Sequence, residues 1–295
     1  MAAAEQRFLT AYKTLGCFHA EVFKVVYLGN EEVTPDKQLG TIKVRNHKYH
    51  HYIYNVDNAD TIKSSIKHGD QLTLTGPSLA PISCPSGMLV IQLDLFGGAF
   101  KGSKRIDWAP FPGTNECAFL EKRFKSRDGR GEIIIFLGMF YYATEAFLDV
   151  SLFSKNSSAV AVGGVIVARP SNSLKPEFSS FLFSKNSGCS IKVQSGEQIP
   201  LSRSITVLPL KCKLFLDINL SCDDENITST LEFDAHLKGT FHKTLLGTKC
   251  EIKAKVIWNV KHKSFGALNA KCVYSEEDDD SDEEWLTDDE DDWLA

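Results

Sequence analysis

Apolar and polar positions alternate with a period of two along most of the chain. Val22, Lys24, Val26 and Leu28 interleave with Phe23, Val25 and Tyr27, and Ile191-Lys192-Val193 shows the same habit. Such alternation places successive side chains on opposite faces and predicts strands. Turn residues punctuate it at Gly29-Asn30, Gly69-Asp70, Gly76-Pro77, Asp128-Gly129, Ser187-Gly188 and Asp223-Asp224. Helical periodicity is confined to residues 3–15. The pattern predicts an all-β fold of short antiparallel strands behind a short N-terminal helix.

The pattern also repeats itself. EVFKVVYLGNEEVTPDKQLGTIKVR from Glu21 aligns without a gap on EAFLDVSLFSKNSSAVAVGGVIVAR from Glu145, a shift of 124. Identical residues stand at Glu21/Glu145, Phe23/Phe147, Val26/Val150, Leu28/Leu152, Gly40/Gly164, Ile42/Ile166 and Arg45/Arg169. HHYIYNVDN answers SSFLFSKN, HGDQLTLTGP answers SGEQIPLSRS, and MLVIQLDL answers CKLFLDINL. Two tandem copies of about 124 residues follow, sandwich-like, over 18–141 and 142–263. They form either two sandwiches or one larger one with a pseudo-twofold axis. Residues 1–17 are then the N-terminal helix and 264–295 an acidic tail expected to be disordered.

Three strings, Gly40-Thr-Ile-Lys-Val-Arg45, Leu72-Thr-Leu-Thr-Gly-Pro77 and Gly164-Val-Ile-Val-Ala-Arg169, resemble the plant family called domain of unknown function 6598 over about residues 20–260. The motifs are strand and turn motifs, so the resemblance speaks to fold first. It implies a companion domain loosely linked to defence, since some members are fused to a ribosome-inactivating rRNA N-glycosylase. That activity places Glu and Arg in a Glu-Ala-x-Arg string. Here Glu145-Ala146-Phe147 is followed by Leu148, so glycosylase activity is not expected; an inactive relative of those fusions stays an alternative.

Other catalytic and metal signatures are equally incomplete. In Gly97-Gly-Ala-Phe-Lys-Gly-Ser-Lys104 the Lys follows Ser, the reverse of a phosphate loop. His47, His50 and His51 form the one histidine cluster, while the eight cysteines lack CxxC spacing, so no zinc site is expected. Asp57, Asn58 and Asp60, with Asp223, Asp224 and Glu225, read as solvated turns rather than calcium ligands. No G-x-S-x-G elbow occurs. No catalytic residue, cofactor, metal or small-molecule ligand is expected, and no run reaches the ~18 apolar residues of a membrane helix.

Charge redirects attention to surfaces. The formal net charge is −5, yet residues 276–295 carry 13 acidic and no basic residues, so the remainder has 33 − (38 − 13) = +8. Lys101, Lys104 and Arg105 read as one basic loop, and Lys122, Arg123, Lys125, Arg127 and Arg130 as the next, with Phe124 among them. Such a patch suits a phosphate backbone. The tail carries Trp285-Leu286 and Trp293-Leu294, eight residues apart, which share an apolar stripe if the segment folds as a helix on a partner. Ser275, Ser281 and Thr287 each precede acidic residues and are candidate phosphorylation sites.

The expected role is a non-enzymatic interaction or regulatory module, cytoplasmic or nuclear, that binds a protein partner through its tail and loops. The rival is a nuclear protein associated with nucleic acid or histones. Cysteines without a recognisable secretory signal favour a reducing compartment, in which the sequons at Asn156, Asn219 and Asn226 are idle.

Overall fold

The computed structural model describes residues 18–46, 50–57, 65–77, 81–83, 88–107, 117–141, 143–156, 158–173, 175–185, 189–223 and 225–259. The expected N-terminal helix and the acidic tail lie outside the described residues. Within them the chain is strand after strand, with a single 3-10 turn at Pro35–Lys37. The N-terminal half holds β1 (Phe18–Gly29), β2 (Gly40–Arg45), β3 (His50–Val56), β4 (Ile82–Ser83), β5 (Met88–Leu95), β6 (Phe100–Asp107), β7 (Cys117–Lys125) and β8 (Gly131–Tyr141). The C-terminal half holds β9 (Ala143–Ser154), β10 (Ala159–Pro170), β11 (Ser180–Lys185), β12 (Ile191–Gln194), β13 (Ile205–Pro209), β14 (Lys213–Cys222), β15 (Glu225–Asp234), β16 (Gly239–Leu246) and β17 (Cys250–Asn259).

These strands form four antiparallel sheets. The N-terminal half has the orders β4-β1-β8-β7 and β3-β2-β5-β6, the C-terminal half β13-β9-β17-β16 and β11-β10-β14-β15, with β12 added beside β10. Position for position the second pair of orders follows the first. The period of two explains how each pair of sheets meets. On β5, Leu89, Ile91, Leu93 and Leu95 are buried while their neighbours are half-exposed, and Leu214, Leu216, Ile218 and Leu220 do the same on β14. Each such side chain contributes about 1.5–3 kcal/mol on full burial. The buried apolar residues fall into one large core in each half and a small third cluster of Phe23, Phe140, Ala143, Phe178 and Val207 between them.

Backbone irregularities recur at matching places. The β2–β3 register shifts between Ile42 and Lys43, and the β10–β11 register between Ile166 and Val167. Gly40 and Gly164 have φ of +140° and +104°, and a Cβ on either would run into the backbone of the neighbouring strand, at Asp94 and Asn219 respectively. Only glycine fits both the conformation and the close approach. Both halves belong to one compact unit, Met1–Val260.

Candidate functional site

Two buried carboxylates, with an arginine and a histidine against them, lie where the two halves meet. Glu21, on β1 and 1% exposed, receives a hydrogen bond from Ser180 Oγ at 3.0 Å and one from the backbone N–H of Val207 at 3.1 Å. Arg203 Nη2 stands 3.0 Å from its Oε1, and Arg203 Nη1 donates to the carbonyl of Val22 at 2.7 Å. Glu21 is thus held by three residues of the other half. Burial drives its carboxyl above the ordinary value, opposed chiefly by the Arg203 charge; burial likewise lowers Arg203, opposed by Glu21.

A second carboxylate crosses the seam in the opposite sense. Glu145, on β9, lies 3.4 Å from Nε2 of His19 on β1. Around these pairs the rings of Phe23, Phe140 and Phe178 meet edge to face at 5.9–6.3 Å for the Phe23 contacts, and Phe119 packs on Phe178 at 4.8 Å. Perturbed ionisable groups are often catalytic. Here they face one another in a sealed seam that joins the halves. An open cleft of about 90 Å³ borders it, lined among others by Phe23, Lys24, Gln71, Phe181 and Ser202.

The basic residues expected in two loops stand mainly on strands. Lys101, Lys104 and Arg105 are on β6, and Lys122, Arg123 and Lys125 on β7; Arg127 and Arg130 occupy the β7–β8 turn. The glycine-rich turn spans only Phe96–Ala99, and the alternation from Phe100 to Ile106 carries β6 on from there. Both strands are sheet edges in contact with each other, so the structure gathers the residues along one edge.

Several of these cations are engaged by carboxylates. Lys101 pairs with Asp94 at 3.5 Å, Arg105 with Asp107 at 2.9 Å, Arg130 with Glu31 at 3.4 Å, and Arg123 with Glu121 and Glu132. Lys104 lies over the Phe124 ring at 5.8 Å. Among the described residues, Lys122, Lys125 and Arg127 have no carboxylate within ion-pair distance. The C-terminal half has a matching arrangement between its edge strands β15 and β16, where Lys243 lies over Phe233 at 5.6 Å. Inward-turned lysines on edge strands oppose strand-to-strand association.

The remaining candidates resolve into local structure. Glu225 accepts from the backbone N–H groups of Thr248, Lys249 and Cys250 and from Thr248 Oγ1. Desolvation pushes its carboxyl up, but these donors outweigh it and hold the group at about 2. Its oxygens are committed to the β16–β17 turn. Asp223 Oδ1 accepts from the N–H of Ala161. Among the described residues no cluster of His, Cys, Asp or Glu gathers as metal ligands. His50 and His51 open β3; burial and the adjoining His50 charge hold His51 down at about 4. In the C-terminal core, burial and the neighbouring Cys250 push the Cys222 thiol up to about 12.

His47, Asn58, Asp60, Asp224, Ser275, Ser281, Trp285, Leu286, Thr287, Trp293 and Leu294 lie outside the described residues. Sequence reasoning missed Arg203 altogether, and it took Glu21 and Glu145 only as matched positions of the repeat. The missed signal was a carboxylate at the same place in both copies, beside apolar strand positions, where burial demands a partner.

With this geometry in view, the family model for the domain of unknown function DUF6598 matches residues 20–256. The chain belongs to the DUF6598 family. The matched span runs from β1 to β17 and takes in both halves, including Glu21, Arg203 and Glu145. No curated protein matches the sequence. Among solved structures, human GIVD cytosolic phospholipase A2 is similar at 8% identity with a TM-score of 0.24, over 84% of this chain and 31% of that one. The chain thus spans under a third of that protein, and a likeness of this size bears on neither fold nor activity. Among the described residues no helix is long and apolar enough to cross a membrane.

Proposed function

We propose that this DUF6598 chain is a non-enzymatic interaction module of the cytoplasm or nucleus that binds a protein partner through its acidic C-terminal segment. The observation that carries this reading is the spacing of Trp285-Leu286 and Trp293-Leu294 within a segment of 13 carboxylates. Solubility alone needs no tryptophan. A helix would bring both Trp-Leu pairs to one stripe with the carboxylates around it, a form suited to an apolar groove rimmed by basic residues. Phosphorylation at Ser275, Ser281 or Thr287 would add charge and tune such an encounter. The buried charges Glu21, Arg203 and Glu145 fit a scaffold role in this reading, because they hold the two halves together.

Affinity capture with the full chain tests it against the double variant Trp285→Ala/Trp293→Ala. Specific protein partners retained by the first and lost by the second support it; identical sets from both overturn it. A second reading, binding of nucleic acid, is favoured by one observation: Lys122, Lys125 and Arg127 stand along one sandwich edge without carboxylate partners. Retention of RNA or DNA that falls steeply with salt and survives the tryptophan substitutions would favour it.

A further inference from the structure

Two thiols meet inside the C-terminal half. The buried face of β14 that begins at Leu214 ends at Cys222, and the buried face of β17 that ends at Trp258 begins at Cys250. Alternation therefore turns one cysteine into the core from each of two different sheets. Both are at most 2% exposed, both belong to one core cluster, and the two thiols are in hydrogen-bonding contact.

The turns beside them are pinned. The Asp223 N–H donates to the carbonyl of Ala161 at 2.9 Å, and its Oδ1 accepts from the Ala161 N–H at 2.9 Å, which fixes the chain just after Cys222. Glu225, opposite Cys222 in the β14–β15 register, accepts from the Cys250 N–H at 3.0 Å. Lys155 Nζ donates to the carbonyls of Gly247 and Thr248 at 2.9 and 3.1 Å. One carboxylate thus ties the cross-strand neighbour of the first cysteine to the backbone of the second. The corresponding strands of the N-terminal half, β5 and β8, contain no cysteine, so the fold itself does not require thiols here.

We propose that Cys222 and Cys250 are an oxidisable pair, which forms a disulfide between the two sheets of the C-terminal half by exchange with oxidised glutathione. The Cys250 thiolate, next to the β16–β17 turn, attacks a sulfur of the glutathione disulfide, breaks its S–S bond and releases one glutathione thiol. The Cys222 thiolate then attacks the Cys250 sulfur of the mixed disulfide and releases the second. The protein thiols lose two protons and two electrons, and the glutathione disulfide gains the same on becoming two thiols. The new bond closes a loop through β15 and β16, where the chain passes from one sheet to the other. Burial sets the pace. A Cys222 thiol held at about 12 is almost wholly protonated, so exchange waits for the β16–β17 turn to open. The pair stands whether or not the C-terminal tryptophans bind a partner.

The test holds the full chain in glutathione buffers of rising oxidised fraction, blocks free thiols with iodoacetamide and maps tryptic peptides by mass spectrometry without reduction. The expected product links Leu214–Lys238 to Cys250–Lys253. The oxidised chain melts about 5–10 °C above the reduced one. Cys222→Ala and Cys250→Ala each abolish the linked product and the shift, whereas Cys189→Ala, which removes an exposed thiol, leaves both. Glu225→Gln keeps both thiols but loosens the turn, and the linked product forms several-fold faster. The proposal is overturned if no linked product forms, if it forms only in urea, or if oxidation leaves the melting temperature unchanged or lower. A shift that survives in Cys250→Ala overturns it as well, and an unchanged rate in Glu225→Gln overturns the opening step.

Discussion

Glu21 and Arg203 meet at 3.0 Å across the seam between the two halves, with both side chains at most 2% exposed. Neither charge has water to return to, so each depends on the other, Glu21 also on the donors Ser180 and Val207 and Arg203 also on the carbonyl of Val22. Removing one partner leaves a buried charge unmatched. Arg203→Met is expected to lower the stability of unfolding in urea by about 3–5 kcal/mol. The double variant Glu21→Leu/Arg203→Met removes both charges and is expected to recover most of that loss. Equal stability of wild type and Arg203→Met would show that the pair does not hold the seam.

The two matched glycines give a steric prediction. Gly164→Ala meets both the positive φ and the backbone at Asn219, and Gly40→Ala meets the same two obstacles at Asp94. Each is expected to destabilise by more than about 1 kcal/mol. Gly129, at φ +74°, has open space where a Cβ would stand, so Gly129→Ala carries only the conformational cost of about 1 kcal/mol. Thermal melts of the three variants check the order. If Gly129→Ala proves the most damaging, close approach is not what fixes glycine at 40 and 164.

These positions show what the sequence made legible. Alternation around Leu93 and Leu216 is a direct trace of side chains pointing to opposite faces of a strand, whereas on β1 a register shift between Val22 and Lys24 breaks it, and Val22, Val25 and Tyr27 bury in one core. Gly40 and Gly164 were legible as identities, although their reason, a backbone approach from β5 and β14, is a tertiary fact. Arg203 was not legible. Its role depends on a contact with a residue nearly the whole fold away, and nothing in SGEQIPLSRS marks one arginine for burial. Lys101–Arg105 was misread as a loop because charge was weighed above the alternation of Phe100 and Ile106, whose burial pins β6.

Acid titration separates two local sites with the same sign. His51 has a folded value of about 4 against an ordinary 6.5, so stability is complete above pH ~6.5 and falls as the pH drops toward 4. The loss is at most about 3 kcal/mol, less in proportion to the water that reaches this half-buried ring. Glu225 has a folded value of about 2, so its contribution is complete above pH ~4.5 and fades as the pH falls toward 2. Urea midpoints between pH 7 and pH 2 are expected to decline in both windows. His51→Gln flattens the first only; Glu225→Gln flattens the second and exposes the amides of Thr248, Lys249 and Cys250 to faster exchange. A profile unchanged by either substitution would place the acid sensitivity elsewhere.

The edge formed by β6 and β7 distinguishes cations that are free for a ligand from those already engaged. Arg105 and Arg123 are held by Asp107 and by Glu121 and Glu132, so their charge is largely matched within the protein. Lys125 and Arg127 are exposed without such partners. If the edge binds a phosphate backbone, Lys125→Ala and Arg127→Ala each remove about one released counterion and lower the salt slope of nucleic-acid affinity by about 1. Arg105→Ala and Arg123→Ala change the slope less, because each guanidinium is already matched by a carboxylate within the protein and neutralises little phosphate charge. Titrations with single-stranded RNA at several salt concentrations measure all four slopes. Equal slopes throughout would mean that the +8 of the remainder of the chain acts as a diffuse field, and that this edge is no more a phosphate site than any other basic surface of the protein.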